Sequence, residues 1–189
     1  VFQPEHAFFA AMYLCLGYDM TFGNSSASRG WLAKLSRLAK DNGLTGLDGW
    51  VLLCRAVVDH DRNPAAAERW AQRALDIASV SGDADLDVCA KSELGAAMIE
   101  LGRLSDGAEL LDEAMAGALG GEVETLDSVV LASCRTIISC SRAADVQRAA
   151  QWIRAASNFN ERYGSPHLYT TCRIHYAALL ILSGHWGRP

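Results

Sequence analysis

Three stretches of the chain hold residue types able to do chemistry at a useful spacing. Asp83-Ala84-Asp85-Leu86-Asp87 sets three carboxylates at alternate positions, as a calcium loop begins. Such a loop needs Gly at its sixth position and Glu at its twelfth, where this chain has Val88 and Leu94. The expected role is a negatively charged helix start, which the helix dipole favours. Cys172 and His175 share a helix face, and Cys134 and Cys140 fall on the first helix of the preceding unit. Thiolates and imidazoles are zinc ligands, but structural zinc sites show tight ligand pairs. None of the six cysteines (Cys15, Cys54, Cys89, Cys134, Cys140 and Cys172) forms a C-x-x-C pair, and each lies among apolar neighbours. They read as small core side chains in a reducing cytoplasm. Gly117-Ala118-Leu119-Gly120-Gly121 is glycine-rich like a phosphate loop. It lacks the following Lys-Ser/Thr and comes after a helix instead of a strand, so a helix exit is expected. Nothing sets a nucleophile beside a base. No catalytic, cofactor-binding or metal-binding residue is assigned, and no cofactor is expected.

The elements that carry these residues recur. Leu35, Ala74, Ala114 and Ala156 sit late in successive amphipathic runs, at gaps of 39, 40 and 42 residues. A period in this range, with two helices per unit, describes stacked helical hairpins. The first hairpin is predicted over about 5–20 and 26–40, with Gly23-Asn24 as its turn. The second runs over about 47–60, then opens a new helix at Asn63-Pro64, an N-cap followed by proline at the first helical position. In the third, Leu94, Ala97, Met98 and Leu101 form one stripe, Gly102 breaks the helix, and Ser105 is the expected N-cap of the next. Ala108, Leu111, Ala114 and Met115 form the matching stripe, with Gly117 and Gly120-Gly121 marking the exit. The fourth spans about 125–143 and 145–163, ending at Gly164. Ser165-Pro166 then starts a helix over about 167–183, and Trp186 to Pro189 begin a last helix that the chain does not complete. The expectation is a single domain over 1–189, all-α, a right-handed α-solenoid of about four and a half hairpins resembling tetratricopeptide (TPR) repeats, and a piece of a longer protein.

Composition narrows the function classes. Half the residues are hydrophobic, enough for one core or one short solenoid. The net charge is −5 and no run of Lys or Arg stands out, so a direct nucleic-acid surface is not expected within these residues. No stretch approaches about 18 apolar residues without a charge or a turn signal, so no membrane span is expected.

Leu94-Gly95, Met98, Leu101-Gly102, Leu104, Leu111 and Ala114 follow the TPR pattern L-G-x-x-Y-x-x-L-G-x-Y…A. Met98 and Leu104 replace its aromatics, and Gly107 stands where Ala is usual. Asp145, Val146, Ala149 and Ala156 repeat the pattern, as does the turn Gly184-His185-Trp186. The period exceeds the roughly 34 residues of the ordinary repeat. The stretches LLDEAMAGALGGEVETLDS at 110–128, RAAQWIRAASNF at 148–159 and LYTTCRIHYAALLILSGHW at 168–186 resemble the helical-repeat region of large actinobacterial LuxR-type transcriptional regulators. That resemblance implies a non-catalytic regulatory segment, with an ATPase-like module before it and a DNA-binding helix-turn-helix outside this chain. Alternatives are a stand-alone TPR-type adaptor for a peptide or protein, and a helical accessory region of a nucleotide-cyclase-linked regulator.

In TPR-like arrays the first helix of each hairpin lines the concave face. Mapped here, that register sends Ser92, Ala96, Ile99, Cys134, Ile138, Arg142, Ile174 and Ala178 toward the groove, with Arg135 and Arg173 near its rim. A peptide or protein, or another domain of the same full-length chain, is the expected occupant. An incomplete last hairpin leaves an apolar edge through which two copies would pair.

Overall fold

The computed structural model describes residues 3–164, 174–181 and 184, and among these every regular element is helical. The order is α1 (Pro4–Met20), α2 (Ser25–Asp41), a 3-10 turn (Thr45–Leu47), α3 (Asp48–Asp59), α4 (Pro64–Ser81), α5 (Ala84–Glu100), α6 (Leu104–Gly120), α7 (Leu126–Arg142) and α8 (Val146–Tyr163). Residues 174–181 are helical too, and Gly184 follows with φ of 78°. Successive helices pair as hairpins α1–α2, α3–α4, α5–α6 and α7–α8. The first helices also pack on one another, α1 on α3, α3 on α5 and α5 on α7, whereas among the second helices α6 meets α8. An inner layer of odd-numbered helices therefore curves inside an outer layer of even-numbered ones, as in a helical-repeat array.

Local chemistry starts and stops these helices. Asn24, Asn63, Asp83, Thr125 and Asp145 each accept a hydrogen bond from the backbone N–H three residues on, supplying orphan donors of α2, α4, α5, α7 and α8. The left-handed residue after α4, α6 and α8 is Gly82, Gly121 and Gly164 respectively. In the α7–α8 turn the left-handed step falls on Ala144, at φ 55°, where the α5–α6 turn has Gly102. Two expectations at helix ends are corrected. Ser105 is not an N-cap: α6 begins at Leu104, and Arg103 ahead of it makes no side-chain cap. Gly117 and Gly120 do not lie in the exit loop. Both are in α6, which runs one turn further, and Gly117 is buried where a Cβ would meet Val88 and Glu122. The expected cap and proline at Ser165-Pro166, and the turn residues His185 and Trp186, lie outside the described residues.

Leu35, Ala74 and Ala114 are fully buried and Ala156 nearly so. The repeating positions are thus the points where each outer helix meets the core. Twelve of the 17 residues of α5 are buried, so its apolar character runs round the helix, as a central element requires. Leu101 is the exception in its predicted stripe and stays exposed. No described helix is long and apolar enough to cross a membrane.

Candidate functional site

The inner layer closes far enough for α1 to reach α7. Tyr13 Oη donates to Asp127 Oδ2 at 2.7 Å, although 114 residues separate them. Burial first, then the Asp127 carboxylate, raise the Tyr13 pKa, so the phenol stays protonated and donating. On one side of this bridge lies a cavity of about 420 Å³ lined by Leu16 and Met20 of α1, Val130, Leu131, Cys134 and Ile138 of α7, and Ile174 and His175. Burial lowers the His175 pKa, so the imidazole is neutral near pH 7. On the other side is a hollow of about 190 Å³ lined by Phe9, Met12, Trp50, Asp83, Asp85 and Thr125, among others. Tyr13 and Asp127 line both spaces, so their hydrogen bond is the partition between them.

Below the first cavity runs a buried charged cluster. His60 Nδ1 is 2.7 Å from Glu93 Oε1, and Arg135 Nε is 2.7 Å from Glu93 Oε2. All three residues are at most 5% exposed. One carboxylate thereby joins the end of α3, the middle of α5 and the middle of α7. Burial opposes ionisation of Glu93, but the Arg135 charge and His60 outweigh it and hold the carboxyl below its usual range. Asp19 of α1 faces the same cluster, and there burial wins, raising its pKa. At the cluster's edge Arg142 pairs with Asp61 at 2.7 Å and Glu100 at 2.8 Å.

The predicted groove residues divide. Cys134, Ile138 and Ile174 line the cavity. Ser92, 3% exposed, donates to Cys89 O under the groove floor. Ala96 is buried. Ile99 is not among the residues lining the cavity: it packs against Gly107 of α6, beside a hollow shared with Cys140 and Arg148. Arg142 is an ion-paired end group, and Ala178 is exposed. Arg135 is not a rim cation but a buried one, because Glu93 neutralises it. Arg173 and Cys172 lie outside the described residues. Cys134 and Cys140 face different neighbours, the cavity for the first and Ala149 with Leu179 for the second. Burial raises the Cys140 thiol to about 12, and Cys89 likewise to about 12. Among the described residues no group of three His, Cys, Asp or Glu side chains is arranged to hold a metal ion.

Each carboxylate of the 83–87 stretch has its own work. Asp83 caps α5 and accepts the Trp50 indole N–H at 3.0 Å. Asp87 pairs with Lys91. Asp85 crosses to the α6–α7 connection, accepting from the amides of Glu124 (2.9 Å) and Thr125 (3.1 Å) and from the Thr125 hydroxyl (2.6 Å). Burial opposes its charge, but these bonds and Ser128 outweigh it and lower its pKa. Asp85→Ala is expected to cost roughly 1–3 kcal/mol by stranding these donors. Urea unfolding measures the loss, and amide exchange at Glu124 and Thr125 should quicken more than elsewhere.

The α1 half of the cavity, with Tyr13, Leu16 and Met20, was not legible as a site. Its side chains read as an ordinary core stripe, and only the curvature of the array brings them opposite α7. No family model, curated protein or solved structure matches the chain.

Proposed function

We infer that this chain is a non-catalytic recognition segment of a LuxR-type transcriptional regulator, acting from the cytoplasm, with DNA binding supplied by a helix-turn-helix elsewhere in the full protein. The observation that carries the reading is the inner-face cavity: a stacked helical array that keeps about 420 Å³ open between its first and fourth hairpins has a place to receive a signal. The charged groups around it support the same reading. Glu93, Asp85 and Arg135 are each held in fixed contacts between helices, the arrangement of a scaffold. An effector seated between α1 and α7 would favour one curvature of the array over another and bias the intact regulator between two states.

Two measurements test this. The reading frame beyond Pro189 should encode a helix-turn-helix; a frame closing after one further helix overturns the regulator reading and favours the TPR-type adaptor. In a gel shift, the segment alone should leave duplex DNA unshifted, as its net charge of −5 leads one to expect. A sequence-specific nanomolar shift would refute the assignment of DNA binding to another domain.

A further inference from the structure

We propose that the cavity between α1 and α7 binds a small amphiphilic cation, an apolar body carrying an ammonium group, with that group held by Asp127. This rests on reading the inner face as a recognition surface, and it names the chemistry of the occupant.

The shape excludes a long guest. A peptide helix or strand lying along the groove would have to pass the Tyr13–Asp127 bridge, which divides it into two spaces. What remains is a short, partly open cavity bounded among the described residues by α1, α7, Ile174 and His175. Its α1 wall runs from Tyr13 to Thr21, which at the helical rise is about 12 Å. A volume of about 420 Å³ belongs to the range of small-molecule sites.

The charge on the walls selects the head group. The ionisable residues among the described lining are Tyr13, Cys134, Asp127 and His175. The phenol is protonated and the imidazole neutral near pH 7, for the reasons given above. Among the described residues Asp127 is therefore the principal fixed charge, and none of the described lining residues is Lys or Arg. The buried Arg135 lies beneath the floor and is paired with Glu93. Beyond the partition Asp83 and Asp85 add to the negative field. The remaining lining is mostly apolar, from Leu16, Met20, Val130, Leu131 and Ile138. An ammonium group meeting Asp127 forms a charge-assisted hydrogen bond. A carboxylate there meets repulsion, and an alcohol gains only the apolar contact. Tyr13 already donates to one Asp127 oxygen, and Asp127 is exposed at the cavity's edge, so its other oxygen is open to a ligand.

Isothermal titration with n-octylammonium, n-octanol and n-octanoate tests the assignment on the intact chain. The amine should bind one per chain, about tenfold tighter than the alcohol, with the carboxylate weakest. Asp127→Asn keeps an acceptor for Tyr13 and removes the charge. It should weaken the amine about tenfold and leave the alcohol unchanged. Ile138→Trp should fill the cavity and abolish binding of all three, which separates the site from general attraction of amines to an acidic protein. Melting curves of both variants check that they fold. Equal affinity for the three probes, no heat from any of them, or unchanged amine binding in a folded Asp127→Asn each overturns the proposal. Those outcomes leave the reading-frame test untouched. A reading frame that closes early would remove the regulator reading and leave the titration result standing.

Discussion

Glu93→Ala is expected to destabilise the fold by roughly 3–5 kcal/mol, the cost of breaking a buried ion pair from one side. The carboxylate is buried between His60 and Arg135, so its removal strands a guanidinium at 5% exposure and opens a void at the centre of α5. Glu93→Gln separates the two effects, since it keeps the volume and removes the charge. It should retain most of the loss. Replacing both partners, Glu93→Met with Arg135→Met, should recover much of the stability, because apolar replacements of similar shape often match a buried ion pair. A double variant no more stable than Glu93→Gln alone would show that the cluster is not held by that pair.

The pH dependence has a definite sign. Glu93 is held below its usual range by Arg135 and His60. Its contribution is therefore fully present above the unfolded carboxyl value of about 4.3, and it is lost as pH falls through the lower folded value. Asp61 and Asp85 are lowered too and add in the same direction. Asp19 opposes them. Its raised pKa means that the folded state takes up that proton first, so acidification initially relieves a cost. The stability gap between the parent and Glu93→Gln, measured by urea unfolding, should hold from neutral pH to about pH 5 and narrow below about pH 4. A gap that stays constant to pH 3 would mean that Glu93 does not titrate with folding.

The helices were legible because their signals are local. Asn63-Pro64, Asp83, Asp145 and the glycines at 82, 121 and 164 act within one turn of themselves, and they stand at the ends they predict. Ser105 and Gly117 misled for the same reason: each has a type found at helix ends, yet both lie within α6, where Gly117 packs against Val88 of α5. The site was less legible. The register of TPR-like arrays, mapped onto this chain, turns Cys134 and Ile138 inward, and both line the cavity. It does not tell how tightly the hairpins curve, so the approach of α1 to α7 had no local signal. The same register puts Arg135 near the rim, where an unpaired cation would meet water. Its partner Glu93 lies 42 positions away, and His60, on the other oxygen of that carboxylate, 75; only the stacking of three units assembles them.

Gly107 offers the sharpest test of how the repeat is built. It departs from the alanine usual at its position in TPR-like patterns, and propensity alone predicts that Gly107→Ala stabilises α6 by about 1 kcal/mol. The packing predicts the opposite. A Cβ on Gly107 would lie 2.5 Å from Gly95 O, 2.8 Å from Ile99 Cγ1 and 3.1 Å from Ile99 N, while one on Gly95 would lie 2.6 Å from Gly107 O. The two glycines face each other backbone to backbone. Neither contact is with a flexible side-chain end that can swing away, so α5 and α6 must separate. Overpacking of a rigid contact costs roughly 1–3 kcal/mol, and this one should reach the upper end of that range. Gly30 of α2 is the control, being helical and exposed with nothing within 4 Å of its would-be Cβ. Gly30→Ala should raise the melting temperature as propensity dictates, while Gly107→Ala lowers it. If both substitutions stabilise, the close approach of α5 and α6 is wrong. Glycine at both positions is what allows the short α5–α6 distance, since a Cβ at either would meet the backbone of the other.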